Sequence, residues 1–177
     1  MNAPDYTAAP RSFHEILAIL ARTSTGREVL SRIYPDLTSG KVTIEAYPEE
    51  LLTLLRAHRP EGEPVGATFT TDGLKGKIYL DLTSPLGVLA PFLIHEMVHS
   101  LDAALWYCAN RSVTRAQIRS VKLQSEESAF QIQNRFVSEL KTQCQEFSGY
   151  IELVRSSIRT LQDLSSEEVR ALYSDAA

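Results

Sequence analysis

An apolar segment over residues 86–106 constrains the fold more than any other feature, because Glu96 and Asp102 are its only charged side chains. Pro91 belongs near the start of a helix, since proline is tolerated only in the first turn. A helix this apolar has no polar face to present to water, so it must lie at the centre of the fold. The sequence therefore predicts a central, buried helix that runs without interruption over residues 89–109.

This predicted helix carries His95, Glu96 and His99 in the spacing HExxH. Residues four apart lie one turn above each other on the same helix face, so the two imidazoles point at one place. That spacing suits a single Zn²⁺, with Glu96 near enough to take a proton from a water that the metal activates. The alternative is a pair of core histidines satisfied by hydrogen bonds, since buried polar nitrogens need partners.

A catalytic zinc site needs a third protein ligand, and the local sequence limits the choice. The metzincin class of zinc peptidases is excluded, because its third ligand would fall on Leu105. Asp102 shares the helix face of both histidines, but a third ligand on that same helix gives poor tetrahedral geometry. We interpret Asp102 as an acceptor for the free N–H of a ligand histidine. A solvated or helix-packing aspartate is the alternative.

The best external ligand lies in a second predicted helix, which spans residues 125–147 with Ser125 as its N-cap. Glu126 and Glu127 each head a stripe of this helix that is apolar further along, and a carboxylate in such a position invites a metal. The residues alone leave both open as the ligand. The alternative is that both are solvated glutamates of a first turn, stabilised by the helix dipole.

With HExxH on one helix and the sequence Glu126-Glu127-Ser128-Ala129 on a later one, the chain resembles the gluzincin clan of zinc metallopeptidases. The resemblance covers about residues 66–137. It implies one Zn²⁺ held by His95, His99 and Glu126, with Glu127 as the rival third ligand. It also implies that Glu96 is the general base in peptide-bond hydrolysis.

In such peptidases an edge strand just before the metal helix pairs with an extended substrate. Residues 77–82 alternate apolar and polar side chains, so the sequence predicts a strand here, with a substrate-binding edge near Tyr79. An ordinary sheet strand without a ligand is the alternative. Candidates for stabilising the developing oxyanion are named by residue type alone: Tyr150, Tyr107, Asn134 and Arg135.

The expected function is zinc-dependent hydrolysis of a protein or peptide substrate. Two alternatives remain open, namely a non-catalytic module that uses the same fold for binding or regulation, and a zinc amidase acting on a non-protein substrate. Structural zinc sites usually have four protein ligands and are often rich in cysteine. Neither Cys108 nor Cys144 is near the motif, and we expect both to be free thiols.

Composition limits the partners and the location that we expect. The net charge of −4 and the dispersed basic residues make nucleic acid an unexpected partner. No apolar run is long enough to span a membrane, and the first residues lack the pattern of a secretory signal. We therefore expect a protein that is cytoplasmic or exported by a signal-independent route. Residues 23–30 and 41–44 are faintly similar to the opening of some secreted effector proteases, so a toxin or effector role is one interpretation.

The 177 residues predict a mobile tail at 1–10 and one zincin-like domain at 11–177. The expected class is α+β, with a small three-stranded sheet, mixed or antiparallel, packed on the HExxH helix. A helical C-terminal lobe closes the other side of the cleft. Further predictions are strands at 41–46, 67–71 and 77–82, and helices at 12–21, 25–34, 48–57, 114–123, 149–161 and 165–174.

Overall fold

The computed structural model describes residues 4–59 and 63–154 of the chain. Over these residues the protein combines helices with a three-stranded mixed sheet, which confirms the predicted α+β class. The elements in chain order are α1 (Phe13–Leu20), α2 (Ser24–Thr38), β1 (Val42–Ala46), α3 (Glu49–Ala57), β2 (Ala67–Thr71), β3 (Gly76–Leu80), α4 (Leu86–Ser100), α5 (Ala103–Asn110), α6 (Arg115–Gln143) and α7 (Gln145–Val154).

The sheet has the strand order β1-β3-β2, with β1 parallel and β2 antiparallel to β3. The predicted edge strand near Tyr79 is therefore wrong, because Tyr79 lies on β3 and pairs with strands on both sides. A hairpin places β2 on one side of β3, and the crossover through α3 brings β1 to the other side, as parallel pairing requires. The two edge strands are β1 and β2, and β2 is the one that packs closely against α4.

Helix α4 forms the centre of the core, as its composition predicts. Leu89, Leu93, Ile94 and Met97 are fully buried. Helices α1, α2, α6 and α7 and the strands β2 and β3 all pack against α4. The HExxH residues therefore stand on the most enclosed element of the fold.

The predicted uninterrupted helix to Ala109 is wrong, because α4 ends at Ser100 and α5 starts at Ala103. Asp102 has extended backbone and caps α5, its carboxylate accepting from the Ala104 N–H at 2.9 Å. The Trp106 indole N–H donates to the Ser100 carbonyl at 2.8 Å and satisfies an acceptor at the break. Among the described helices none alone is long and apolar enough to cross a membrane, and α4 with α5 meets that criterion only as a pair bent by 62°.

Helix α6 is a single 29-residue element, which replaces the two helices predicted at 114–123 and 125–147. It begins with a capping box in which Thr114 and Gln117 satisfy each other's backbone N–H groups. Ser125 is therefore not an N-cap but lies in the interior of the helix, 2% exposed. It points toward α4, against which α6 packs along much of its length.

The N-terminal segment that the sequence predicts as a mobile tail packs on the domain from residue 4 onward. Tyr6 is 3% exposed and its ring lies edge-on to Phe147, with centroids 5.1 Å apart. The backbone N–H groups of Leu86 and Gly87 donate to the carbonyls of Ala8 and Tyr6. These bonds satisfy donors at the start of α4.

The remaining boundaries lie within two residues of the predictions, with three differences. Helix α2 continues past Pro35 to Thr38 rather than ending before the proline, α4 begins at Leu86 rather than Leu89, and α7 begins four residues earlier than predicted, its predicted end at 161 lying outside the described residues. The predicted helix at 165–174 lies outside the described residues.

Asp81 holds the junction between β3 and α4 through several hydrogen bonds to the residues just before α4. Its carboxylate is 2% exposed and accepts from the Thr83 N–H at 3.1 Å, the Thr83 hydroxyl at 2.7 Å and the Ser84 hydroxyl at 3.1 Å. Arg56 of α3 pairs with the same carboxylate at 2.9 Å. Burial alone would raise the pKa of Asp81, but the Thr83 and Arg56 hydrogen bonds outweigh burial and hold that pKa below its usual value.

Candidate metal centre

Two histidines of α4 and one glutamate of α6 converge on one point. His95 Nε2 lies 3.0 Å from His99 Nε2 and 3.2 Å from Glu126 Oε2. His99 Nε2 lies 3.4 Å from Glu126 Oε1. Among the described residues these three side chains form the group whose ligand atoms all lie within 4.8 Å of one another, close enough to hold a metal ion.

The spacing of these atoms fits a tetrahedral metal ion. Nitrogen ligands about 2.0–2.1 Å from Zn²⁺ lie about 3.3 Å apart in such a geometry, and the observed separations of 3.0, 3.2 and 3.4 Å bracket that value. The histidines are 6% and 7% exposed, so water does not solvate these nitrogens freely. Within the described residues, His95 Nδ1 is buried without a hydrogen-bond partner. The donor set fits a cation that takes the lone pairs of both Nε2 atoms.

The electrostatics of the triad follow from its burial and its mutual contacts. Burial alone would raise the pKa of Glu126, but hydrogen bonds with both imidazoles outweigh burial and hold that pKa far below its usual range. Burial alone would lower the pKa of His99, whereas Glu126, Glu96 and Asp102 together raise it. Glu126 is therefore an anion at neutral pH, and it faces two nitrogens that can coordinate a metal only when they are unprotonated.

Glu96 lies beside the triad and is held by the edge of the sheet. The Phe69 backbone N–H, on β2, donates to Glu96 Oε2 at 2.7 Å. Burial raises the pKa of the Glu96 carboxyl, against the opposing effects of His95, His99 and the Phe69 N–H. A carboxyl whose pKa is raised toward neutrality is better suited to accept and return a proton than an ordinary surface glutamate.

The two other acidic candidates do not join the cluster. Glu127 follows Glu126 by one residue and is turned by about 100° around the helix axis, and it is not part of the group of described residues near the histidines. The interpretation of Asp102 as the acceptor of a ligand histidine needs correction, since its carboxylate caps α5. The partner of His99 Nδ1 is instead the Ser125 hydroxyl, at 2.9 Å.

The triad of His95, His99 and Glu126 opens into a cavity of about 700 Å³. One wall is the edge strand β2, and the opposite wall is formed by α5 and the first turns of α6. The cavity is mainly apolar, with Phe69, Phe92, Leu105, Ile118, Val121 and Phe130 among its lining side chains. This arrangement leaves a groove between the sheet edge and the helices, with the triad and Glu96 at its side.

The residues named for oxyanion stabilisation do not line this cavity. Tyr107 is exposed, Tyr150 lies against Gly87 in the core, and Arg135 bonds to Thr25 and Glu28. The cationic side chains that do line the cavity, among the described residues, are Arg59 and Lys122. Lys122 stands one helical turn before Glu126 on α6, a spacing that places the two side chains next to each other on the helix surface.

Two contacts at the site could not be predicted from the sequence, because each joins elements that are far apart in the chain. The Phe69 N–H that holds Glu96 is a backbone group, which no side-chain pattern reveals. The pattern around Ser125 predicts a helix start, whereas Ser125 lies inside α6 and contacts His99. Cys108 is half-buried and lines the cavity, whereas Cys144 is buried elsewhere, and both are free thiols as expected.

None of the protein-family models, curated proteins and solved structures compared with this chain matches it. The case for a function therefore depends on the site's own geometry and on the residues of its motif.

Proposed function

We propose that this protein is a zinc-dependent metallopeptidase of the gluzincin type. The observation that carries the proposal is the meeting of Glu126 with both histidines of the HExxH motif, 31 and 27 residues away in the sequence. An HExxH sequence alone can occur by chance, but chance does not bring a carboxylate from another helix within 3.2 Å of His95 Nε2. Glu96 faces the same cavity, which supplies the base that hydrolysis needs.

The donor set together with the HExxH spacing favours zinc, since the same donors without Glu96 would also suit non-haem Fe²⁺. Two imidazoles and one carboxylate are the ligands of catalytic zinc in several peptidase families, and they leave a fourth position for water. Sites for Mg²⁺ or Ca²⁺ use oxygen ligands almost alone. His95, His99 and Glu126 would hold the ion, which when bound polarises a carbonyl and makes a water molecule acidic near neutral pH.

Both proton transfers would then be made by Glu96. Glu96 Oε2 is engaged by the Phe69 N–H, so Oε1 is the atom that accepts the proton of the attacking water. The same carboxyl, with its pKa raised by burial, returns that proton to the leaving amine. Among the described residues, Lys122 and Arg59 are the lysine and arginine that line the cavity. Either could stabilise the negative charge that develops on the carbonyl oxygen.

The edge strand supports an extended peptide as the substrate. Backbone groups alternate in direction along a strand, so those of Ala67 and Thr71 point to the same side as the Phe69 N–H, away from β3. All three residues line the cavity. Glu96 already takes the Phe69 N–H, so an extended chain would pair with the outward backbone groups on either side of it, through hydrogen bonds that do not depend on side-chain identity.

The test is zinc analysis paired with a peptide-library cleavage assay on the parent, Glu96→Gln and Glu127→Gln. Glu96→Gln should retain the metal and lose nearly all turnover, at least a hundredfold. Glu127→Gln is the matched control and should retain both. A Glu96→Gln protein that cleaves peptides as fast as the parent contradicts the proposal.

Two other outcomes favour the alternatives. A parent that binds zinc and cleaves only small non-peptide amides would be an amidase. A parent that binds zinc and hydrolyses nothing would be a binding module. Either result replaces the peptidase proposal.

A further inference from the structure

The two histidines of the triad are held in different ways. His99 Nδ1 lies 2.9 Å from the Ser125 hydroxyl, inside the packed contact between α4 and α6. His95 Nδ1 is buried with no hydrogen-bond partner among the described residues. Its ring is held by packing, with the Phe130 ring edge-on at 4.6 Å between centroids. Among the described residues, therefore, the Nδ1 atom of His99 has a polar partner and the Nδ1 atom of His95 does not.

We propose that Ser125 is a positioning residue that fixes His99 for metal binding. This inference rests on the proposed function only in requiring that the triad binds a metal. When the Nε2 lone pair of His99 is given to a metal, the ring proton must sit on Nδ1. The Ser125 oxygen stands where it accepts that proton's hydrogen bond. Ser125 is 2% exposed, so bulk water has little access to this contact, and the serine hydroxyl is the described group that satisfies the buried N–H.

The position of Ser125 in the chain makes the contact more than an incidental one. Ser125 directly precedes Glu126. One turn of α6 therefore supplies the third ligand, Glu126, and also the residue that supports His99. A small shift of α6 along α4 would disturb both contacts together. The same turn therefore couples the packing of α6 against α4 to the geometry of the candidate metal site.

The test compares the Zn²⁺ dissociation constants of the parent, Ser125→Ala, Ser125→Thr and Ser128→Ala by competition with a chromophoric chelator. Loss of such a supporting hydrogen bond typically weakens metal binding about 10–100-fold, and we expect this for Ser125→Ala. Ser125→Thr keeps the hydroxyl and should recover a large part of the loss. Ser128 is exposed on the same helix and its hydroxyl donates to the Gln124 carbonyl, away from the triad, so Ser128→Ala should bind zinc as the parent does.

Two further readouts separate positioning from a merely structural role. The metal-free melting temperatures of the parent and Ser125→Ala should agree within a few degrees, and the visible spectrum of bound Co²⁺ should change in Ser125→Ala alone. In the zinc-loaded parent, labelled with ¹⁵N at its histidines, the Nδ1 proton of His99 should resonate downfield of that of His95. This measurement on the parent decides the question even if Ser125→Ala fails to fold.

The outcomes distinguish this inference from the proposed function. Equal zinc affinity in the parent and Ser125→Ala overturns the role of Ser125 and leaves the peptidase proposal standing. A parent that binds no zinc overturns both. Weakened zinc binding in Ser125→Ala, with a parent that hydrolyses nothing, supports the role of Ser125 and overturns only the peptidase.

Discussion

Glu126 and Glu127 are adjacent carboxylates whose different directions around α6 separate their roles. Glu126 lies within 3.4 Å of both histidine Nε2 atoms, whereas Glu127 is not part of that cluster. Removing a ligand of a three-ligand site should weaken zinc binding severely, and removing its neighbour should cost little. We expect Glu126→Ala to lose its zinc on dialysis against a mild chelator and Glu127→Ala to retain about one ion per chain. Equal zinc in the two variants would contradict the assignment of Glu126.

At the scale of single residues, the sequence predicts those parts of the site that depend on local geometry. His95, Glu96 and His99 are related by helical spacing alone, so their convergence follows once the segment is helical. Glu126 could be proposed because a carboxylate heads an otherwise apolar stripe. Ser125 and the Phe69 N–H could not, since each contact joins elements whose relative placement is decided by tertiary packing.

At the scale of elements, the errors lie where a tertiary contact overrides a local pattern. The segment around Asp102 has no proline or glycine, yet the helix breaks there because the aspartate caps α5 and Trp106 satisfies the freed carbonyl. The order of the strands could likewise not be predicted from the sequence. A crossover through α3 decides that β1 pairs with β3, and strand sequences alone do not show which neighbour lies on which side.

The Asp81 junction gives a prediction about acid stability. Its pKa is lower in the folded state than the unfolded value of about 3.9, so its contribution is present above that pH and is lost as the pH falls toward the folded value. We expect Asp81→Asn to lower the free energy of unfolding by about 1–3 kcal/mol at pH 7. The difference from the parent should shrink toward pH 3. Urea unfolding of the metal-free proteins at both pH values measures this.

A matched control for that experiment is Asp36→Asn. Asp36 pairs with Lys41 at 3.1 Å on the surface, where an ion pair contributes about 0–1 kcal/mol. Its effect should therefore be small at both pH values. If Asp81→Asn costs the same at pH 3 as at pH 7, the carboxylate is not the source of the stabilisation, and loss of packing would be the better explanation.

At the scale of the whole molecule, the fold and the site form together. Helix α4 contacts the sheet on one side and α6 on another, and the triad lies in the contact between α4 and α6. A metal ion bound there would link the part of the fold that holds the sheet to the helices that follow. The free energy of metal binding then adds to the free energy of unfolding, because the unfolded chain has no such site.

The metal-free protein should show its own pH dependence, since the triad can pair internally. The pKa of His99 is raised in the folded state, so the resulting stabilisation is present below its unfolded value of about 6.5 and is lost as the pH rises through the folded value. The pKa of Glu126 is lowered, so its contribution is present above about 4.3 and is lost toward its lower folded value. Between these limits an imidazolium of the triad faces the Glu126 carboxylate, and the metal-free state is at its most stable.

A chelator should therefore destabilise the protein more at pH 8 than at pH 6. At pH 8 the zinc-loaded protein gains about 2.7 kcal/mol if free zinc is a hundred times its dissociation constant, and the melting temperature should fall by about 5–10 °C when the zinc is removed. At pH 6 zinc binds more weakly because protons compete for the imidazoles. The metal-free state is also more stable at that pH, because protonated His99 pairs with the Glu126 carboxylate. Thermal melts with and without a strong chelator, on protein of known zinc content, measure both differences.

Curves that coincide at pH 8 would contradict the claim that the metal stabilises the contact between α4 and α6. An equal fall in melting temperature at both pH values would contradict the internal pairing of His99 with Glu126.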